Sequence, residues 1–410
     1  MRRYPKFISV ILFCFHFPLA VFAAETTGIT SSATVGLSSE DSASGSGLQV
    51  APMTVMELPR HQSRILALDL TRNAGDIWDR IGRGFAIPDL YDNDVTEIQL
   101  FYLSHKDFLQ KVFTRGTPYL YYITDELERR GMPTELALLP MVESSYNPFA
   151  LSPSQAAGLW QFIPATGKVF NLTQDVWQDQ RRDIIASTQA ALDYLAYIYD
   201  LYGDWHLVIA AYNCGEGTVG RAIKTSLQRG EPIDFASLAL PAQARRYVKK
   251  LQALKNIVAA PEQFAIELPH VANTPHFTTV KVPQGLDLGT AADLANMPLD
   301  EFIALNPAYK RPVILAEDGE LIVPLDRAHH FRTELSGTEY PSAAWRIHTV
   351  HPGETISNLA NKYHLTVNQL LTLNGLTKYS HIKPGHKLLV PSDQTDPSAA
   401  VKAARILGSH

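Results

Sequence analysis

The stretch "LLPMVESSYNP", residues 138–148, ends an apolar run from Leu136 to Val142 in a single acid, Glu143. The run reads as helix, broken or kinked near Pro140. On helical spacing Leu136, Leu139 and Glu143 stand at i, i+3 and i+7 and share one face. A carboxyl on an apolar face loses water, which disfavours its charged form and raises its pKa. A raised pKa suits a general acid. The alternative is an inert glutamate closing the helix at the surface, and the neighbouring motifs have to decide between the two.

Those neighbours are unusual. In "ESSYNPFALSPSQAAGLWQFIPATG" (143–167), Asn147-Pro148 and Ser152-Pro153 are turn signals, and Gly158 leads into an apolar stretch with a lone Gln161. Glu143, Ser152 and Gln161 fall nine apart, so three short segments could each bring one polar group to a common groove. Further on, "AAYNCGEG" (210–217) ends an apolar helix in Tyr212-Asn213, offering a phenol and an amide to the same groove. Each residue alone is an ordinary cap or turn former. The joint pattern is far more specific.

Ordinary glycosidases pair the acid with a second carboxylate. No acid neighbours Glu143 in this stretch, and Asp175, Asp179 and Asp183 sit on a segment better suited to shaping or capping a helix. A single acid suggests a reaction whose substrate supplies its own nucleophile. "GEGTVG" (215–220) has the glycine spacing of a dinucleotide loop but follows a helix, outside any strand–turn–helix unit, so no nucleotide is expected. His329-His330 lacks partners at ligand spacing and no CxxC or HExxH occurs, so no metal and no cofactor are expected.

The elements that must position these groups are mostly helical. "TPYLYYITDELERRGMP" (117–133) reads as a helix with Thr117 as cap and Pro118 in its first turn. Residues 186–204 form a long amphipathic helix stopped by Gly203, and 241–258 another. After His270 an internal repeat appears. Val282 aligns with Val350, Gly285 with Gly353, Leu288 with Ile356, Leu299 with Val367, Phe302 with Leu370, and Leu305-Asn306 with Leu373-Asn374, all at one offset (374 − 306 = 68). Each copy reads strand, helix, helix, strand. The first lacks the good cap that Thr355 gives the second and carries an insertion before its last strand.

With 410 residues the chain should hold two or three domains, and 46% apolar and 19% charged residues are ordinary for globular proteins. A net charge of −5 argues against nucleic-acid binding. Arg2, Arg3 and Lys6 precede the apolar run Phe7 to Ala23, the layout of a secretory signal peptide. That run is shorter than the ~20 residues of a spanning helix. Phe13 rather than a small residue precedes Cys14, so no lipid anchor is expected. Without the signal only Cys214 remains, so no internal disulfide is expected.

"ELALLPMVESSYNP", "AAGLWQFIPATG" and "AAYNCGEG" resemble the motifs of the lysozyme-like soluble lytic transglycosylase domain. Within that family, the stretch from about Asp76 to Val258 resembles the membrane-bound D-type members, and the two repeats resemble LysM units, the first in degenerate form. The resemblance implies a mainly α, lysozyme-like catalytic domain followed by small α+β (βααβ) LysM domains. It implies a carbon–oxygen lyase that cleaves the β-1,4 bond between N-acetylmuramic acid and N-acetylglucosamine and leaves 1,6-anhydro ends. Glu143 would be the sole catalytic acid and then base; Ser144, Ser152, Gly158, Gln161, Tyr212 and Asn213 would hold the sugar or orient the acid. Gly353, Thr355, Asn374, Gly375 and Ile382 would bind glycan in the LysM unit. The segment before Tyr247 departs from the family pattern, with Gln243 and Ala244 where an acid and a threonine are frequent, and no contact is assigned to it.

The expected organisation is a signal peptide at 1–24, a Ser/Thr/Gly-rich disordered tether at 25–60 and a helical extension at 61–115. The transglycosylase domain follows at 116–268, the degenerate repeat at 277–325, the LysM domain at 345–392 and a flexible tail at 393–410. The expected partner is peptidoglycan glycan strands, bound by a monomer that is periplasmic and cell-wall associated; peripheral contact with a membrane stays open. A non-catalytic wall-binding scaffold and a hydrolytic muramidase are the alternatives.

Overall fold

The computed structural model describes residues 74–409 apart from 317–318, 338–344 and 393–395. The leader and tether expected at 1–60 lie outside the described residues. Among the described residues no helix is long and apolar enough to cross a membrane.

The helical domain opens with α1 (Ile77–Arg83) and α2 (Asn93–Ser104), followed by α3 (Lys106–Arg129). Here the structure corrects the expected boundary at 115/116 and the helix start at Thr117. The chain runs through Pro118 as one 24-residue helix. Leu109, Val112, Phe113, Gly116, Tyr119, Leu120 and Ile123 make one buried stripe that continues across the proline. Burial of such a stripe outweighs the local cost of the lost N–H and the ring clash. A 3₁₀ turn (Thr134–Leu138) then leads into the short α4 (Leu139–Ser144), with Pro140 in its first turn where a missing N–H costs nothing.

Next come α5 (Pro164–Val169), α6 (Ile184–Tyr202), α7 (Trp205–Cys214), α8 (Glu216–Arg229) and α9 (Ala242–Ala259). Asp183 caps α6 through the Ala186 amide, and Gly203, at φ 66°, ends it. The run His206 to Asn213 in α7 is buried on every side, which makes α7 the central helix, packed against α6, α8 and α9. Burying each of Leu207, Val208 and Ile209 contributes about 2 kcal/mol.

The repeats fold as strand, helix, helix, strand, but the first copy does have a cap: Asp287, 68 residues before Thr355, accepts from the Thr290 amide at 2.9 Å. The first is β1 (Phe277–Val282), α10 (Leu288–Leu294), α11 (Leu299–Leu305) and β2 (Gly319–Pro324). After α12 (Ala328–Gly337) comes the second, β3 (Trp345–Thr349), α13 (Ile356–Lys362), α14 (Val367–Leu373) and β4 (Lys387–Pro391). Each pairs its two strands antiparallel, Phe277 opposite Pro324 and Trp345 opposite Pro391. The first copy has one extra residue before its strand ends (324 − 306 = 18 against 391 − 374 = 17). Asn306 and Asn374 play one role. Each amide donates to two carbonyls, Phe302 and Ile322 or Leu370 and Leu389, and accepts from the Ile322 or Leu389 amide. They staple the second helix to the last strand.

The flexible tail expected at 393–410 is corrected over most of its length, because Ser398–Leu407 form α15. Ala403 enters the core of the first repeat, whereas Ala400 and Val401 enter that of the second. Small apolar residues on one side of a helix allow this close approach, and Gly289 on α10 permits it, since a Cβ there would lie 2.5 Å from the Ala399 carbonyl oxygen. The loop after α11 docks on the helical domain by backbone: the Asp179 amide donates to Ala308 O and the Lys310 amide to Trp177 O, both at 2.8 Å.

Candidate active site

Glu143 closes α4 and is 2% exposed. The chain leaves the helix through two left-handed residues, Ser145 and Tyr146, both at φ 53°. Non-glycine residues there cost of order 1 kcal/mol each. Surrounding contacts hold them: the Tyr146 hydroxyl donates to Ala137 O at 2.8 Å, and its ring lies against Gly116, where a Cβ would come within 2.9 Å. Across the site, the buried Tyr247 of α9 donates its phenol to Glu143 Oε1 at 2.6 Å.

Residues 150–162 form the second wall. Paired bridges, Leu151 with Ala157 and Ala157 with Phe162, fold this stretch back on itself. Gly158, at φ 81°, could be nothing else, since a Cβ would fall 2.0 Å from the Arg181 carbonyl oxygen. Arg181 is buried, pairs with Asp179 at 2.7 Å and donates to the Gln155 and Phe162 carbonyls. Gln161, at φ 52° and 1% exposed, donates through Nε2 to Gly158 O at 2.9 Å and Ala150 O at 3.3 Å. Its Oε1 is buried without a hydrogen-bond partner among the described residues. Such an acceptor suits a donor brought by a ligand.

The other expected site residues divide. Tyr212 is buried and donates to Trp160 O at 2.9 Å, tying α7 to this wall. Its ring lies 5.6 Å from that of Tyr194, whose hydroxyl donates to Glu216 at 2.7 Å. Asn213 is buried beside Tyr212. The Ser144 hydroxyl turns inward, 2.9 Å from Leu159 O and 3.0 Å from Pro140 O, and joins α4 to the wall. Ser152 is buried too, accepting from the Ala156 amide at 3.0 Å. The acids weighed as second carboxylates have other tasks: Asp175 accepts from the Trp177 and Gln178 amides, Asp179 pairs with Arg181, and Asp183 caps α6. Burial pushes the Cys214 thiol up to about 11, away from thiolate chemistry.

In the LysM unit Thr355 caps α13 through the Asn358 amide, and Asn374 is buried in the staple described above. Gly353 (φ 86°) and Gly375 (φ 59°) are exposed turn residues, and Ile382 is half-buried against the repeat's core. Tyr247 is the residue that the sequence reading left out. Its signal was present, since Ala244, Tyr247, Val248 and Leu251 form the buried face of α9 and a buried phenol needs a partner.

A helical domain with a buried acid, Glu143, set between a phenol and a folded-back wall, followed by two βααβ units, defines a lysozyme-like transglycosylase carrying LysM modules. Family models agree along the chain: Transglycosylase SLT domain at 121–234, the LysM-like domain of lytic transglycosylase MltD at 276–339, and LysM domain at 348–391. The chain is 34% identical over 329 residues to membrane-bound lytic murein transglycosylase D of Escherichia coli (strain K12), covering 77% of this chain and 73% of the relative. It is 39% identical over 170 residues to a putative tributyltin chloride resistance protein of Alteromonas sp. (strain M-1), covering 41% and 80% of the two chains. It is also 31% identical over 116 residues to the soluble lytic murein transglycosylase of E. coli (strain K12), covering 27% and 18%. The chain belongs to the membrane-bound lytic murein transglycosylase D family.

Proposed function

We propose that this lytic transglycosylase cleaves the bond between N-acetylmuramic acid and N-acetylglucosamine with Glu143 as its one acid and base. The observation that carries this reading is the buried Glu143 held at Oε1 by Tyr247. The protonated carboxyl gives its proton to the glycosidic oxygen as the C1–O bond breaks. The carboxylate then takes the proton of the C6 hydroxyl of the same muramoyl residue while that oxygen bonds to C1. The ring closes as a 1,6-anhydro end, the acid is regenerated and no water is consumed. Tyr247 fixes the rotamer of the acid, and Gln161 Oε1 is the acceptor available to a sugar N–H or O–H. The occupation of Asp175, Asp179 and Asp183 elsewhere supports a mechanism without a second carboxylate.

Export to the periplasm and work as a monomer on the wall belong to the same proposal, and the basic and apolar residues 2–23 support export. Glu143→Gln should lower turnover by about 10²–10⁴-fold, the usual contribution of general acid–base catalysis. Mass spectrometry of digested sacculi should find anhydro ends in the wild-type reaction. Reducing ends alone would make the protein a hydrolase, and full clearing by Glu143→Gln would remove the acid from the mechanism. Tyr247→Phe should lower kcat about tenfold with KM unchanged, as loss of one hydrogen bond to a charged group.

A further inference from the structure

The loop that docks the first repeat onto the helical domain carries more charge than docking needs. Lys310 and Arg311 follow the two backbone hydrogen bonds to residues 177 and 179. Arg182, on the facing segment, lies close enough for Lys310 to feel both arginines. None of the three cations has a carboxylate within ion-pair distance among the described residues. Lys310 Nζ donates to the Asp175 carbonyl at 2.7 Å, and Arg311 Nη1 to the Lys310 carbonyl at 3.2 Å. The Nε of Arg182 is buried without a partner. The nearby acids are occupied, Asp179 by Arg181 and Asp175 by amides of its own turn. Partial burial lowers the pKa of all three cations, and the attraction of Asp179 and Asp175 at longer range does not offset it for Arg182 and Lys310.

Position gives this cluster its meaning. Arg311 Nη1 lies 2.7 Å from where a Cβ of Gly375 would be, so the guanidinium covers the exposed glycine that begins the LysM loop. Trp177 packs beside it against the core of the second repeat. At its other end the cluster reaches the active-site wall, because Arg182 Cα lies 3.0 Å from the Cβ position of Gly158. A cationic seam therefore runs from the wall of the cleavage groove to the LysM loop, on a chain whose net charge is −5. Peptidoglycan is a neutral sugar chain whose muramoyl residues bear peptides rich in carboxylates. A strand lying between groove and LysM loop brings those carboxylates beside the sugars.

We propose that Arg182, Lys310 and Arg311 form a binding site for the carboxylates of peptide stems, so that the enzyme selects stem-bearing over stripped glycan. Guanidinium groups suit this ligand because their paired N–H donors match a carboxylate. The proposal deepens the peptidoglycan reading and rests on it.

The test uses the full chain with Glu143→Gln, so that binding is read without turnover. Glycan chains bearing tetrapeptide stems and the same chains stripped by an amidase are titrated calorimetrically. Stemmed chains should bind about tenfold tighter, the scale of one charge-assisted contact, and the advantage should shrink as salt rises. Lys310→Gln with Arg311→Gln should abolish the advantage and leave affinity for stripped chains unchanged. Lys310→Glu should disfavour stemmed chains, with thermal unfolding checking that the docked fold is kept. Equal binding of both chains by the parent overturns the proposal. So do survival of the preference in both variants, a matching loss on stripped chains, and tighter binding of a phosphate-rich polymer than of stemmed chains. Because turnover plays no part, failure here leaves the cleavage reading standing. Failure of wild-type cleavage leaves the stem preference measurable.

Discussion

The two repeats share helices, strand pairing and the Asn306/Asn374 staple, yet they use the same loop in opposite ways. In the first copy the loop after the second helix, 307–311, is fastened to the helical domain through Ala308 and Lys310. In the second the corresponding loop, 375–379, stands out, with Tyr379 76% exposed. The interiors differ in kind as well. Val280, Leu286 and Ala295 are buried apolar residues, whereas their partners 68 positions on are His348, Glu354 and Tyr363. His348 bridges the other two, with Nε2 hydrogen-bonded to Glu354 at 2.7 Å and Nδ1 to the Tyr363 hydroxyl at 2.9 Å. One fold thus carries this loop docked on the helical domain in the first copy and largely exposed in the second, where only Gly375 at its start meets Arg311.

The sharpest way to break this contrast is to cut the same staple in each copy. Asn306→Ala and Asn374→Ala should each destabilise their own repeat by about 3 kcal/mol, because each strands several buried backbone groups. Asn306→Ala should loosen the dock and slow cleavage, whereas Asn374→Ala should abolish retention on insoluble wall and spare cleavage of short soluble glycans. Calorimetry with sacculus pull-down and a soluble-glycan assay separates these outcomes, and equal loss of cleavage in both variants would end the division of roles.

A smaller effect should follow from the first helix of each repeat. Gly289→Ala pushes a methyl into the Ala399 carbonyl and should cost about 2 kcal/mol by overpacking. Its counterpart Ser357 is exposed, and Ser357→Ala should change stability by less than about 0.5 kcal/mol. Thermal unfolding of the two variants checks the difference.

Acid should produce the mildest separation, with opposite signs in the two copies. The His351 amide and then His348 hold the Glu354 carboxyl at about 2. A carboxyl with a depressed folded pKa lends stability that is present above its unfolded pKa and lost as pH falls through the folded value. Burial raises the pKa of Asp287, the cap of α10, so its contribution is fully present in acid and is lost as pH rises through its folded pKa. Between about pH 5 and pH 2 the second copy should weaken while the first holds or firms. Amide exchange at Leu389 and Ile322, the two protons donated to the staples, reads each copy separately. Parallel behaviour of the two amides would refute the assignment.

Much of this was legible in the chain itself. The repeat could be read because both copies keep the same buried positions, so Leu305-Asn306 and Leu373-Asn374 announce one architecture. Glu143, Gly158 and Tyr212 stood out because turns and apolar runs around them leave few alternatives. Tyr247 was harder to read, since it meets Glu143 from 104 residues away and no local spacing records that meeting. The dock was invisible for another reason: its bonds come from main-chain groups at 177, 179, 308 and 310, which any side chain would permit. Pro118 misled because propensity argues for a helix start, and only the buried stripe on both sides of it shows the helix passing through. The Ala-rich segment of α15 carried too few large apolar residues to declare that it packs.

That last helix has a consequence for how far the enzyme can reach. By laying Ala403 in one repeat and Ala400 with Val401 in the other, α15 works as a latch between the two repeats. Cutting just ahead of Ser398 would still leave Trp177, Val313 and Leu315 packed on the second repeat, so its reach along the polymer is limited from two sides.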